Sequence, residues 1–252
     1  MTADAYLQSI LTREAVDTSI FSPVRNVQNV LYPLIGQWAG IHLISVSPSG
    51  SFAKGTANKS GTDIDLFISL SPQTTEALKE IYSKLFNYMG YHKYTPKRQN
   101  VSINIRVLGH SVDLVPAKRQ DNYSNDHSLY RRRADSWTKT NVMKHISHVS
   151  LSGLVGEIRI IKLWRDQKRL DFPSFYLELS VIKALAGNRG SLSENVWESL
   201  KYFRDNFMNT IVVDPANSNN IISGELTALE RAKVKAAAEQ ALKAANWNQV
   251  VV

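Results

Sequence analysis

Apolar periodicity changes character near residue 120. Before that point, Val27, Val30, Leu31, Leu34 and Ile35 recur at helical spacing, which predicts a helix from about Asn26 to Trp38. Ile41 to Val46 is short and β-branched, and Ile64 to Leu70 alternates. Val101, Ile103, Ile105 and Val107 alternate with Ser102, Asn104 and Arg106, so three strands are expected. Val112 to Val115 adds a fourth, and the brevity of Gly109-His110 predicts a hairpin. Between the second and third strands, Leu78, Ile81, Leu85 and Tyr88 give an amphipathic helix over Thr74 to Tyr88.

Beyond the polar stretch Gln120 to Asp126, helical patterns run through 153–168, 175–186 and 193–206. A last helix is announced by the capping box Thr227-x-x-Glu230. It runs to about Ala245, with Glu239 and Lys243 at favourable i, i+4 spacing. Pro215 and the cluster Asn217 to Asn220 mark the loop before it. The expected fold is α+β: a small mixed β-sheet with helices over residues 1–125, followed by an α-helical domain over 126–252.

Charge narrows the class of partner. Thirty Lys and Arg against 22 Asp and Glu give a net charge of +8 over 252 residues. Eleven of the cations and only four acids fall between Tyr91 and His145. A basic surface there suits a phosphate-rich ligand, and RNA or DNA binding through the stretch 91–145 is one expectation. Arg131-Arg132-Arg133 beside Tyr130 and Trp137 fits either nucleic acid or a solvated face. The absence of cysteine removes disulfides, thiolate metal sites and cysteine nucleophiles. No basic-then-apolar leader and no run of roughly 18 apolar residues occurs, so a cytoplasmic protein without a membrane partner is expected.

The chemistry concentrates in Gly50-Ser51-Phe-Ala-Lys54-Gly55-Thr56, followed by Asp63-Ile-Asp65-Leu. Two residues apart on a strand, Asp63 and Asp65 send both carboxylates to one face. At about 4 Å and an effective dielectric near 20, such a pair costs roughly 4 kcal/mol, which a divalent cation relieves. Oxygen-only ligation favours Mg²⁺ or Mn²⁺ over zinc. Asp113, in Ser111-Val-Asp-Leu-Val, is a third carboxylate expected on the same side. Three carboxylates on adjacent strands can hold two ions for in-line nucleotidyl transfer. Glycine at position 50 lets the backbone approach a phosphate, Ser51 can bond it, and Lys54 can add charge one helical turn later.

Gly50-Ser51, then eleven residues, then Asp63-x-Asp65, with Asp113 later on a short strand, resembles the signature of the DNA polymerase beta-type nucleotidyltransferase superfamily. Gly-Ser-Phe-Ala-Lys-Gly-Thr is similar to the same region of archaeal CCA-adding enzymes, 2′-5′ oligoadenylate synthases and, above all, bacterial cyclic-oligonucleotide synthases of the cyclic GMP-AMP synthase/DncV-like group. Ile160-Ile-Lys162-Leu-Trp164, Pro173-Ser174-Phe-Tyr176-Leu-Glu178 and Val213-Asp-Pro-Ala-Asn-Ser-Asn-Asn220 resemble helical-domain motifs of that branch.

The resemblance implies a polymerase beta-like palm and a helical lobe. It also implies ATP or another nucleoside triphosphate as substrate and Asp63, Asp65 and Asp113 as catalytic metal ligands. Lys162 and Ser174 are implied as triphosphate contacts, with Tyr176 and His145 as further nucleotide contacts. Ser174 is also placed to N-cap its helix. The implied activity is synthesis of a cyclic or linear oligonucleotide messenger in bacterial antiviral defence. The alternatives are nucleotide addition to an RNA or tRNA 3′ end, and an inactive nucleotide- or RNA-binding module.

Overall fold

The computed structural model describes residues 1–61 and 63–252. In chain order its helices are α1 (Ala3–Arg13), α2 (Pro23–Ala39), α3 (Gly50–Lys54), α4 (Leu78–Tyr91), α5 (Val142–Ser150), α6 (Val155–Gln167), α7 (Ser174–Ala184), α8 (Leu192–Asp205) and α9 (Ala228–Ala241). The strands are β1 (Leu43–Pro48), β2 (Ile64–Leu70), β3 (Lys97–Arg98), β4 (Ile103–Val107), β5 (His110–Arg119), β6 (His127–Arg131), β7 (Ser136–Thr140), β8 (Val213–Asp214) and β9 (Asn217–Ile221). Two compact units result: one from the described residues of 17–54 and 63–146, the other from 1–16, 55–61 and 147–252.

The first unit is a mixed sheet in the order β1-β2-β5-β4-β3, with β6 beside β5 and β7 beside β6. Strands β2 and β5 run parallel; the other pairings are antiparallel. Alternation decides its core. Ile64, Leu66, Ile68 and Leu70 of β2 join Ile103, Ile105, Val112 and Leu114 in one cluster with the apolar stripes of α2 and α4. The expected first helix starts earlier, because Ser22 accepts the Arg25 N–H as N-cap and Pro23 occupies the first turn. Its buried stripe is Val24, Val27, Leu31 and Ile35, while Val30 is exposed. Helix α4 starts at Leu78 rather than near Thr74, since Thr74 turns back onto the Ser71 carbonyl and Glu80 accepts the Ala77 N–H.

The β4–β5 hairpin forms as expected, with the turn one residue earlier. Leu108 and Gly109 both take left-handed φ values, 51° and 83°, so Val107 pairs directly with His110. The hairpin β6–β7 falls where the sequence pattern suggested the beginning of a helical domain. Its register runs from His127↔Thr140 to Arg131↔Ser136, and Arg132, Arg133 and Ala134 form the turn, closed by Asp135 at φ 43°.

The second unit is helical around one core. Leu7, Ile10 and Leu11 of α1 bury with α6, α7, α8 and α9, and Trp164 stacks parallel on Phe203. Capping boxes open α8 (Ser191, Glu194) and α9 (Thr227, Glu230), and Lys243 pairs with Glu239 at 3.2 Å. The segment Asn217–Asn220, expected as loop, pairs instead as β9 with β8. The division expected at 125/126 therefore differs from the structural one. Residues 1–16 and 55–61 belong with the helices, because α1 is buried among them and because Thr56 and Asn58 bond Glu178 and Arg159. The β6–β7 hairpin extends the sheet unit to residue 146.

Candidate active site

Polar residues gather on the sheet face opposite α2 and α4. Asp65 and Asp113 are direct neighbours in the parallel β2–β5 register, so their carboxylates leave the same face. Asp63 is exposed and immediately precedes β2. Gly50 opens α3 at φ 55°, and a Cβ added there would lie 1.7 Å from Asp65 Oδ2. Both the backbone sign and the close approach demand glycine. Ser51, the next residue, is half-buried, and the Ser49 N–H donates to the Asp65 carbonyl at 2.8 Å. The Gly-Ser turn and the first strand acid are thus physically locked together.

Asp113 is held by a set of neutral donors not singled out as site residues in the sequence. Asn104 Nδ2 donates to its Oδ1 at 2.8 Å and Gln99 Nε2 to the same oxygen at 3.1 Å. Ser102 Oγ donates to Oδ2 at 3.2 Å. The signal was the alternation of β4: its apolar residues enter the core, so Ser102 and Asn104 must emerge on the carboxylate face. Burial pushes the Asp113 carboxyl above the ordinary aspartate range; the bonds from Asn104 and Ser102 oppose this, and the charge of Asp63 adds to it.

This donor chemistry fits a hard divalent cation: three carboxylates, no sulfur, and a half-buried acid whose ionised form a positive charge stabilises. Among the described residues, no three acids, imidazoles or thiols stand close enough together to form a ready-made metal cluster.

The remaining expected residues are placed as follows. Lys54 ends α3 and is 7% exposed. His145 lies half-buried on α5. In the helical unit, Lys162 is in a sealed ion pair: its Nζ is 3.3 Å from Glu178 Oε1 and 3.5 Å from Thr56 Oγ1, and the Thr56 hydroxyl donates to Glu178 at 2.7 Å. Glu178 is wholly buried. Ser174 is half-buried as the first residue of α7, and Pro173, not Ser174, is its N-cap. The Ser174 hydroxyl instead accepts from Arg165 Nη1 at 2.9 Å, and the same nitrogen donates to the Phe172 carbonyl.

Tyr176 is corrected from nucleotide contact to core residue. Its ring is fully buried between Phe172 and Phe207, and burial pushes its hydroxyl up to about 12. No surface of Tyr176 is left for a base to stack on.

Residues 42–134 match a family model for the nucleotidyltransferase domain. The cyclic AMP-AMP-AMP synthase of Escherichia coli (strain MS 115-1) is 25% identical over 198 residues, 71% of this chain; the chain spans 61% of the length of that relative. The Bradyrhizobium diazoefficiens CD-NTase CdnG, solved with GTP, superposes with a TM-score of 0.80 at 12% identity, covering 96% of this chain and 90% of that one. The Cid1 poly(U) polymerase bound to MgATP superposes with a TM-score of 0.70 at 12% identity, covering 95% and 93%. At such identities the two superpositions establish a shared fold. Gly50 seated against Asp65, and Asp113 in register beside it, all fall within the stretch 42–134 that is similar to the nucleotidyltransferase domain.

Proposed function

We propose that the protein joins nucleotides into a short cyclic or linear oligonucleotide messenger, in the antiviral role that the bacterial synthases it resembles imply. The observation that carries the reading is the Gly50–Asp65–Asp113 arrangement: a glycine turn packed against one carboxylate, which is in register with a second that three neutral donors orient. The 25% identity to a cyclic AMP-AMP-AMP synthase supports a messenger product.

In the proposed reaction a ribose hydroxyl of one nucleotide attacks the α-phosphorus of a second. A new phosphorus–oxygen bond forms there, the bond to the oxygen bridging the α- and β-phosphates breaks, and pyrophosphate leaves. Asp113 takes the hydroxyl proton at Oδ2, the oxygen that Ser102 holds; burial favours a carboxyl that accepts a proton there. Gly50 and Ser51 receive the triphosphate of the donor, with Lys54 and His145 as further candidates to bind it. Asp63, Asp65 and Asp113 would hold two Mg²⁺ or Mn²⁺ ions, which would supply charge neutralisation and a lowered pKa for the attacking hydroxyl.

Incubating the protein with Mg²⁺ or Mn²⁺ and all four ribonucleoside triphosphates, with and without RNA, and resolving products by mass spectrometry tests this directly. Short oligonucleotides absent from an Asp65→Asn control support the messenger reading. Lengthened RNA replaces it with 3′-terminal addition, which the exposed cations Lys93, Arg132 and Arg133 favour as an RNA grip. Nucleotide binding without turnover of any acceptor leaves an inactive binding module.

A further inference from the structure

Two of the three donors to Asp113 sit on one short turn, Gln99 to Ser102, which joins β3 to β4. The turn is closed by the Gln99 N–H, which donates to the Ser102 carbonyl at 3.0 Å, and the Ser102 hydroxyl is 3.0 Å from Gln99 Oε1. Its backbone is held from two sides. On α4, the hydroxyl of the buried Tyr82 lies 2.9 Å from the Gln99 carbonyl and 3.0 Å from the Ser102 carbonyl. From the turn between β6 and β7, Arg132 Nε donates to the same Gln99 carbonyl at 3.1 Å and the Arg132 N–H donates to the Asn100 carbonyl at 2.8 Å. The Arg133 N–H adds a bond to Asn100 Oδ1 at 3.1 Å.

Gln99 is therefore bonded at both ends: its carbonyl accepts from Arg132 and Tyr82, and its side-chain amide donates to Asp113. A glutamine side chain has several rotatable bonds, so its amide is only as fixed as the backbone that carries it. Arg132 is exposed, yet its guanidinium is turned to a carbonyl, a charge-assisted bond of roughly twice the strength of a neutral one. A chain of contacts thus runs from the β6–β7 turn to the carboxylate that takes the hydroxyl proton.

Resting on the nucleotidyltransferase reading above, we infer that Arg132 is a positioning residue: it fixes the Gln99–Ser102 turn and thereby the orientation of the Asp113 carboxylate. Arg132 touches no reacting atom and acts through Gln99 and Ser102. Misplacing a reacting group by about 1 Å can cost up to about a hundredfold in rate, so a modest loosening of the turn is readable in turnover. This role is distinct from a grip on nucleic acid, because it operates when free nucleotides are the only substrates.

Two measurements test it, the first without turnover. Hydrogen exchange over residues 99–102 is followed by mass spectrometry in the nucleotide-free chain. Arg132→Ala is expected to speed exchange of the turn about tenfold, with Arg132→Lys close to the parent and α7 unaffected. Coupling is reciprocal, so Asp113→Ala is expected to loosen the same turn. Transfer is then assayed with ribonucleoside triphosphates alone. Arg132→Ala is expected to lower kcat about tenfold with KM within about twofold, and Arg132→Lys to restore most of the loss. The backbone bond of Arg132 to Asn100 survives both changes, so the variants test positioning rather than folding. In a background carrying Gln99→Ala and Ser102→Ala, Arg132→Ala is expected to have no further effect on kcat, since both links to Asp113 are gone. Unchanged exchange in Arg132→Ala or Asp113→Ala, an equal kcat loss in both backgrounds, or a loss confined to KM overturns the inference. An equal loss from Arg133→Ala, which removes the same charge but keeps the contacts of Arg132, overturns it as well. If the native chain joins no nucleotides, the nucleotidyltransferase reading fails by itself, and the exchange series alone decides whether Arg132 and Asp113 are coupled through the turn.

Discussion

Two clusters of charge, one on the sheet and one among the helices, are built on opposite plans. In the helical unit, Lys162, Glu178 and Thr56 satisfy one another inside a core where Glu178 has no exposed surface. On the sheet, Asp65 and Asp113 lie side by side with Asp63 near, and Asp113 is met by neutral amides and a hydroxyl rather than by a cation. Removing one partner of a sealed ion pair strands the other, whereas carboxylates set side by side favour the arrival of something positive.

The largest effect expected from this contrast is at the open cluster. Asp65→Asn should lower nucleotidyl transfer by on the order of 10³-fold or more while leaving the unfolding midpoint unchanged or higher, because it removes a ligand and a repulsion together. Product assays beside thermal unfolding check both halves. In the sealed cluster the signs reverse: Glu178→Ala should cost about 3–5 kcal/mol of stability by stranding Lys162, and adding Lys162→Met should restore much of it. Denaturant titration of the single and double variants reads this, and a double variant as unstable as the single would break the contrast.

Gly50→Ala ranks next. The new methyl meets the Asp65 carboxylate at a position whose backbone already disfavours side chains, so about 1–3 kcal/mol of strain and a turnover loss near a hundredfold are expected. The smallest effects are in pH dependence. Asn104→Ala removes a bond that favours the Asp113 carboxylate, so the acid limb of the kcat/KM profile should move to higher pH. Burial raises Asp113 above its unfolded value, so the native state binds more protons between the two values and stability falls as pH rises through that window. Asp113→Asn should accordingly stabilise at neutral pH, with the gain fading as pH falls toward the ordinary aspartate range. An unfolding series across pH with a constant difference would contradict it.

Local signals were legible where one element carries its own explanation. The alternation of Ile64 to Leu70 gives β2 its observed bounds, and Thr227 with Glu230 caps α9 as read. What escaped depends on distant partners. The polar, charge-rich segment from His127 to Thr140 has a weak apolar pattern and becomes a hairpin through its register and pairing with β5. Asn217 to Ile221 has loop-like composition and is a strand only because β8 lies beside it. Tyr176 sits within a motif that suggested a ligand, yet Phe172 and Phe207 enclose it. Gln99 could not be assigned from spacing alone, since its role depends on the β3–β4 pairing that brings it to Asp113.

The two carboxylates also have unequal folding histories. Asp113 and its donors Gln99, Ser102 and Asn104 lie within fifteen residues of chain, organised around a two-residue turn, and such hairpins form in about 1–10 μs. Asp65 joins only through the parallel β2–β5 pairing, which closes a loop of roughly 50 residues that includes α4, a contact of the slow, non-local kind. One half of the site is thus set early by a local ribbon, and the like-charged half arrives with the closing of the sheet.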